Sequence, residues 1–150
     1  MSVKTLIGNW QQTTETRLFT ADEVINAYLS GQHEFVNNRK RVLSKELNEN
    51  LAKVKEIGER LYRTINDMGV TCTRVFLKIE DISSFRLLIL VKERDFILSR
   101  IDEVYSLLID KELAESSDTF YFFVSLMPDK KSLNDHKVFA DGYYLYYGEH

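Results

Sequence analysis

The sequence predicts an α+β fold: a short helix and a long N-terminal helix, then strand-strand-helix-strand-strand, forming a four-stranded, mostly antiparallel sheet with helices on one face. Three observations predict it. Residues 34–68 contain no proline and repeat apolar side chains at helical spacing. From Thr71 the apolar period changes to two, as a half-buried strand requires. Between two pairs of strand-like segments, residues 93–114 return to a helical stripe. Helices and hairpins segregated in this way mark α+β rather than alternating α/β.

The first helix is announced by Phe19-Thr20-Ala21-Asp22-Glu23-Val24. Thr20 and Glu23 can each bond the other's backbone amide as a capping box, and Phe19 can staple onto Val24. Val24, Ala27 and Tyr28 continue at helical spacing until Gly31. In the long helix, Leu47, Leu51, Val54, Leu61, Ile65 and Met68 follow heptad steps, with Gly58 at the seam position that would otherwise interrupt them. Gly69 ends this helix, with Val70 folding back on Ile65 as the apolar contact that accompanies such a cap.

In the first strand, residues 71–79, Val75, Leu77 and Ile79 share one face and Arg74, Phe76 and Lys78 the other. A turn at Glu80-Asp81-Ile82-Ser83-Ser84 leads into Phe85–Val91, apolar on both faces and therefore expected at the centre of the sheet. Ile97, Ile101, Val104, Tyr105 and Leu108 form the stripe of the crossover helix, which packs on the sheet. Asp118–Met127 reads as a second central strand, ended by Pro128 and a polar loop from Asp129 to His136. A last strand is expected from about Val138 to Tyr147, so that two hairpins are joined by the crossover helix.

Residues 1–150 read as one domain, with 1–18 an extended N-terminal arm in which Leu6, Ile7 and Trp10 tuck against the core. Pro128 is the only proline, and no repeat, linker or low-complexity stretch breaks the chain. Hydrophobic residues make up 44% and charged residues 29%, which is globular rather than disordered composition. Cys72 is the only cysteine, and there is no Asn-x-Ser/Thr acceptor, so a reducing compartment fits. With no apolar leader and no membrane-length apolar run, the expected location is cytoplasmic, with no membrane partner. A net charge of −3 makes nucleic acid an unlikely partner, because sequence-independent binding draws its affinity from a basic surface.

Several short patterns bear on chemistry. Gly8-Asn9-Trp10 has the Gly-x-Trp form of lipocalin-like barrels, which the long helix contradicts. Asp81-Ile82-Ser83-Ser84-Phe85, leading to Asp95, resembles the turn and paired acids of nucleotidyltransferases. It lacks the Gly-Ser pair and the Asp-x-Asp that would hold a divalent ion. His33, His136 and His150 are too scattered for a zinc site, and Cys72 has no neighbouring motif, so no metal or other cofactor is expected.

The conspicuous features are apolar and aromatic. Asp141-Gly142-Tyr143-Tyr144-Leu145-Tyr146-Tyr147 sets phenols on both faces of one strand, with Tyr143, Leu145 and Tyr147 on one side and Tyr144 and Tyr146 on the other. If both major helices share a sheet face, the other face is undercovered, and apolar patches left open mark interfaces. Leu47, Leu51, Phe76, Tyr144 and Tyr146 are therefore the candidate interface residues, and Arg74, Lys78 and Arg86 the candidate anion contacts. The leading expectation is a noncatalytic protein-interaction or homo-oligomerisation module, binding itself or another protein. The alternatives are a small-molecule or nucleotide-binding enzyme with its pocket between the long helix and the sheet, and single-stranded nucleic-acid binding over exposed sheet aromatics.

Overall fold

The computed structural model describes residues 10–12, 36–96, 100–130 and 135–148, with only the backbone described for 12, 36–40, 135, 136 and 139. The predicted helix from Phe19 to Gly31 lies outside the described residues, as do Leu6 and Ile7. In chain order the elements are β1 (Gln11–Gln12), α1 (Val36–Asp67), β2 (Cys72–Ile79), β3 (Ser84–Lys92), α2 (Glu93–Phe96), α3 (Ile101–Glu115), β4 (Tyr121–Asp129), α4 (Asp135–Ala140) and β5 (Tyr143–Gly148).

The fold is α+β, but the sheet departs from expectation. It has five strands in the order β1-β5-β2-β3-β4, and β3 and β4 run parallel while the other pairs are antiparallel. The sheet is therefore mixed rather than mostly antiparallel. The reason is the α2–α3 crossover: parallel neighbours need a long connection, and a helix between β3 and β4 supplies one. Among the described residues only β2 and β3 form a hairpin. β4 and β5, predicted as the second hairpin, lie on opposite sides of it, and the tyrosine strand β5 is flanked by β1 and β2.

The main core lies between one face of the sheet and helices α1 and α3. Leu43, Leu47, Leu51, Val54, Ile57, Leu61 and Ile65 of α1 pack toward Val75, Leu77, Phe85, Leu87, Ile89, Phe120 and Phe122. The heptad-like seam is thus an intramolecular one, filled by the chain's own sheet. Gly58 makes room for the indole of Trp10. A Cβ at this position would stand 3.1 Å from both Cη2 and Cζ2 of the ring, which is 2% exposed and also meets Tyr147 at 5.8 Å.

Helix α1 stops as its sequence predicts. Gly69 takes a positive φ of 87°, its amide donates to the Asn66 carbonyl at 3.1 Å, and the Val70 amide donates to the Ile65 carbonyl at 3.3 Å. This pair of bonds is the Schellman motif, and the contact between buried Val70 and Ile65 completes it. Arg100 adds a charge-assisted bond to the Met68 carbonyl at 2.6 Å, where a cation also complements the helix dipole. The side chain of Asn66 then ties the helix end to β2, accepting from the Cys72 amide at 3.0 Å. At the other end of the sheet Asn50 donates to the carbonyls of Ile82 and Thr119, at 3.0 and 3.1 Å.

Three further expectations are corrected. The last strand, expected from about Val138, begins at Tyr143, and the residues before it, together with the end of the expected loop, form α4, whose Val138 is buried against Phe76, Leu88 and Leu90 with Tyr143 and Tyr146 around it. The helices are therefore not confined to one face, since α4 covers part of the second. The stripe of the crossover helix is Ile101, Val104 and Leu108, with Tyr105 40% exposed and Ile97 outside the described residues. β4 is not central: it is an edge strand, and Pro128 lies inside it rather than ending it. In β4 the amide of Tyr121 points inward to Ser83, so the even-numbered amides point outward, and the missing N–H of Pro128 costs no ladder bond.

A candidate interaction surface at the sheet edge

Among the described residues no strand pairs with the outer edge of β4, and apolar side chains flank that edge on both sides. On the second face of the sheet Tyr121, Phe123 and Met127 are 39%, 47% and 40% exposed, because α4 covers only the middle of that face. Strand alternation places them together, and the rings of Tyr121 and Phe123 meet edge-on at 6.1 Å. On the helix side, α3 is apolar beyond its buried face: Tyr105, Ile109 and Leu113 recur every fourth residue and are 40%, 55% and 76% exposed. Six of the seven exposed large apolar side chains among the described residues thus lie on α3 and β4, the exception being Val42.

Glu112 orients this stripe. Its carboxylate accepts from the outward-pointing Val124 amide at 2.6 Å. Since Ile109 and Leu113 stand three residues before and one after Glu112, the exposed stripe runs beside the β4 edge rather than away from it. The carboxylate also occupies an edge amide that would otherwise be a template for another strand.

Cross-strand register builds a second feature on the same sheet face. Tyr143 pairs with Lys78, Lys78 with Arg86, and Arg86 with Phe123, giving one row across four strands. The Lys78 ammonium lies over the Tyr143 ring at 6.0 Å and the Arg86 guanidinium over the Phe123 ring at 5.3 Å. Arg86 is also ion-paired with Glu80. Burial raises the Tyr143 phenol, with Arg86 opposing and Glu80 and Asp141 reinforcing that shift. The row thus sets two rings outside two cations, with the Glu80 carboxylate paired to Arg86 beside it.

The predicted site residues fall into three groups. Leu47 and Leu51 are 0% exposed against the sheet, and Phe76 is 1% exposed beneath Val138, so their apolar surface is spent within the chain. Tyr144 and Tyr146 are half-buried but do not share the face expected of them: Tyr144 packs on the main core and Tyr146 on the Phe76 cluster, with its hydroxyl 3.0 Å from the Gln11 side-chain oxygen. Their neighbour Tyr143 is on the Tyr146 side, not the Leu145 side, because a bulge between the Leu77–Leu145 and Lys78–Tyr143 pairs shifts the alternation. Arg74, Lys78 and Arg86 do share a face, the one turned away from α1. Arg74 stands over Phe76 at 5.0 Å and 3.8 Å from the Asp129 carboxylate, which also accepts from the buried Thr73 hydroxyl at 2.6 Å. The sequence does not single out the pairs Tyr121–Phe123 and Ile109–Leu113; the available signal is Pro128, which lies inside β4 and suits an edge strand rather than the central one expected.

The acids of the nucleotidyltransferase-like turn do not meet. Asp81 precedes β3 and Asp95 follows it, so the nine-residue strand holds them roughly 30 Å apart. Asp95 instead accepts from the Thr71 amide at 2.8 Å, a bond that holds its carboxyl below the usual range against the opposing effect of burial. Cys72 is buried, and no group of three or more potential metal ligands occurs among the described residues. No helix among them is long and apolar enough to cross a membrane. No family model matches the chain, nor does any curated protein or solved structure.

Proposed function

We propose that the chain is a noncatalytic, cytoplasmic protein-interaction module whose docking surface is the β4 edge with the outer flank of α3. The observation that carries this reading is the concentration of exposed apolar side chains on two adjoining elements, Tyr105, Ile109 and Leu113 beside Tyr121, Phe123 and Met127. Scattered exposed apolar residues need no explanation, whereas a shared patch marks binding. Tyrosine, phenylalanine and methionine are also the residue types enriched at interfaces.

The enzyme alternative finds less support. Its pocket would lie between α1 and the sheet, where Leu47, Leu51, Val54 and Ile65 are all 0% exposed, and its cations project from the opposite face. Nucleic-acid stacking needs open aromatics beside unmatched cations, and Phe76 is covered while Arg86 is paired with Glu80. A photo-crosslinking amino acid at Phe123, in cells of the organism that makes the protein, tests the interaction reading. An adduct with a protein is expected at Phe123 and not at the exposed control Val42. Equal yields at both positions, or none at either, would defeat the reading.

A further inference from the structure

We infer that the α3 flank of this surface docks a basic amphipathic helix of another protein, an inference that rests on the interaction reading above. Tyr105, Ile109 and Leu113 form one exposed ridge along α3. A ridge with a spacing of four is the kind that packs into the groove of a second helix. It spans roughly 12 Å and presents roughly 350 Å² of largely apolar surface, which suits a transient contact below the standard interface size.

The charges along the ridge decide the occupant. Helix α3 carries Asp102, Glu103, Asp110, Glu112 and Glu115 against Lys111 alone, on a chain of net −3, so the rest of the chain is slightly positive. Two of the five acids serve the fold: Glu112 accepts from the Val124 amide, and Glu115 stands 3.8 Å from Lys111. Asp102, Glu103 and Asp110 are exposed and make no hydrogen bond or ion pair with a described residue. The cations that precede the helix are engaged elsewhere, Arg100 by the Met68 carbonyl and Arg94 by Asp95. Asp102 and Glu103 favour the helix by standing in its first turn, but Asp110, in the C-terminal half, gains nothing from the dipole. Helical geometry puts Asp102 in line with the ridge, while Glu103 and Asp110, two turns apart, stand along the flank away from Glu112 and β4.

An apolar ridge bordered by unmatched carboxylates is complementary to an apolar stripe bordered by lysine and arginine. A second copy would bring the same carboxylates to the contact, and nucleic acid or an anionic lipid surface would be repelled in the same way. Residues 13–35 of the chain itself carry four acids against Arg17 alone, so they match the ridge no better.

Two synthetic amphipathic helices, identical in their leucine stripe and carrying either lysine or glutamate at the remaining positions, test this by fluorescence anisotropy on the purified full chain. The lysine peptide should bind in the micromolar range, more weakly as salt is raised, and the glutamate peptide should not bind. Affinity should fall at least tenfold with Ile109→Asp and severalfold with Asp110→Lys, and stay unchanged with Val42→Asp. All three positions are exposed, and far-ultraviolet circular dichroism checks that the variants fold. A lysine peptide that fails to bind, equal binding of both peptides, or a titration indifferent to Ile109→Asp and Asp110→Lys overturns the inference. In cells, a photo-crosslinker at Ile109 should join another protein at a lysine- and arginine-rich helical segment. An adduct with a second copy, or with a segment that is not basic, refutes the basic helix and leaves the interaction reading standing. No protein adduct at Ile109 or Phe123 defeats both.

Discussion

Substitution of Gly58 tests the packing that joins the N-terminal arm to the long helix. A Cβ added there meets Trp10 Cη2 and Cζ2 at 3.1 Å, and Leu87 Cδ2 at an ordinary 3.6 Å. Gly58→Ala sets a helix-propensity gain of about 1 kcal/mol against a ring that must yield by a few tenths of an ångström, so its net effect is small. Gly58→Leu is different in kind. Its branched side chain claims the space of the indole itself, and Trp10 must leave a site where it is 2% exposed. The loss approaches that of deleting a buried tryptophan, about 3 kcal/mol or more. Because Trp10 is the only tryptophan, its emission reports the event directly. Urea titration should show a lower midpoint, and the emission in buffer should shift to the red. In a Trp10→Ala background the Leu substitution should cost far less, since the clash is gone and the two sites are coupled. A Gly58→Leu protein with blue emission and an unchanged midpoint would refute the packing argument.

Asn66→Ala removes the acceptor for the Cys72 amide and the link from α1 to β2, and should lower stability by about 1–3 kcal/mol in urea titration. Asp95→Ala should destabilise at neutral pH by a margin that shrinks in acid. The carboxyl is depressed by the Thr71 amide, so its contribution is complete above the unfolded value of about 4 and is lost as pH falls through the folded value. Urea midpoints of both proteins at neutral and strongly acidic pH check this. Glu112→Ala exposes the outward Val124 amide, and turbidity on mild heating should rise faster than in the parent, because an unguarded edge amide templates strand pairing.

Much of the fold is written plainly in the sequence where one face of an element meets one surface. The α1 seam is legible because Leu47, Leu51, Val54, Leu61 and Ile65 all face the same sheet, and helical periodicity records that directly. Gly69 and Val70 are legible because the cap is local. The edge position of β4 is not legible because Phe120-Tyr121-Phe122-Phe123-Val124 is apolar on both faces, and a binary pattern records apolarity without recording what covers it. Phe120 and Phe122 enter the core, while Tyr121 and Phe123 stay half open. The six-residue α4 escaped notice because a single buried side chain, Val138, leaves no period to detect. The bulge that moves Tyr143 across the strand is a long-range matter of register, for which Gly142, at a φ of 100°, is the only local hint.

The displacement of the exposed apolar patch follows from connectivity. The apolar surplus of Phe76, Leu88 and Leu90 on the second sheet face is real, and a hairpin from β4 to β5 would have left it open. Because the α2–α3 crossover makes β4 parallel to β3 and puts it at the edge, the chain must cross the sheet to reach the far side of β2. It does so with α4, whose Val138 settles on those three residues. The same connection that closes the middle of the face leaves its margin uncovered, since a short helix cannot also reach Tyr121, Phe123 and Met127. On the other side of the sheet α3 packs beside β4 with its buried stripe and turns Tyr105, Ile109 and Leu113 outward. One topological choice thus covers the apolar face expected to stay open and leaves apolar side chains of both layers exposed along the edge it creates.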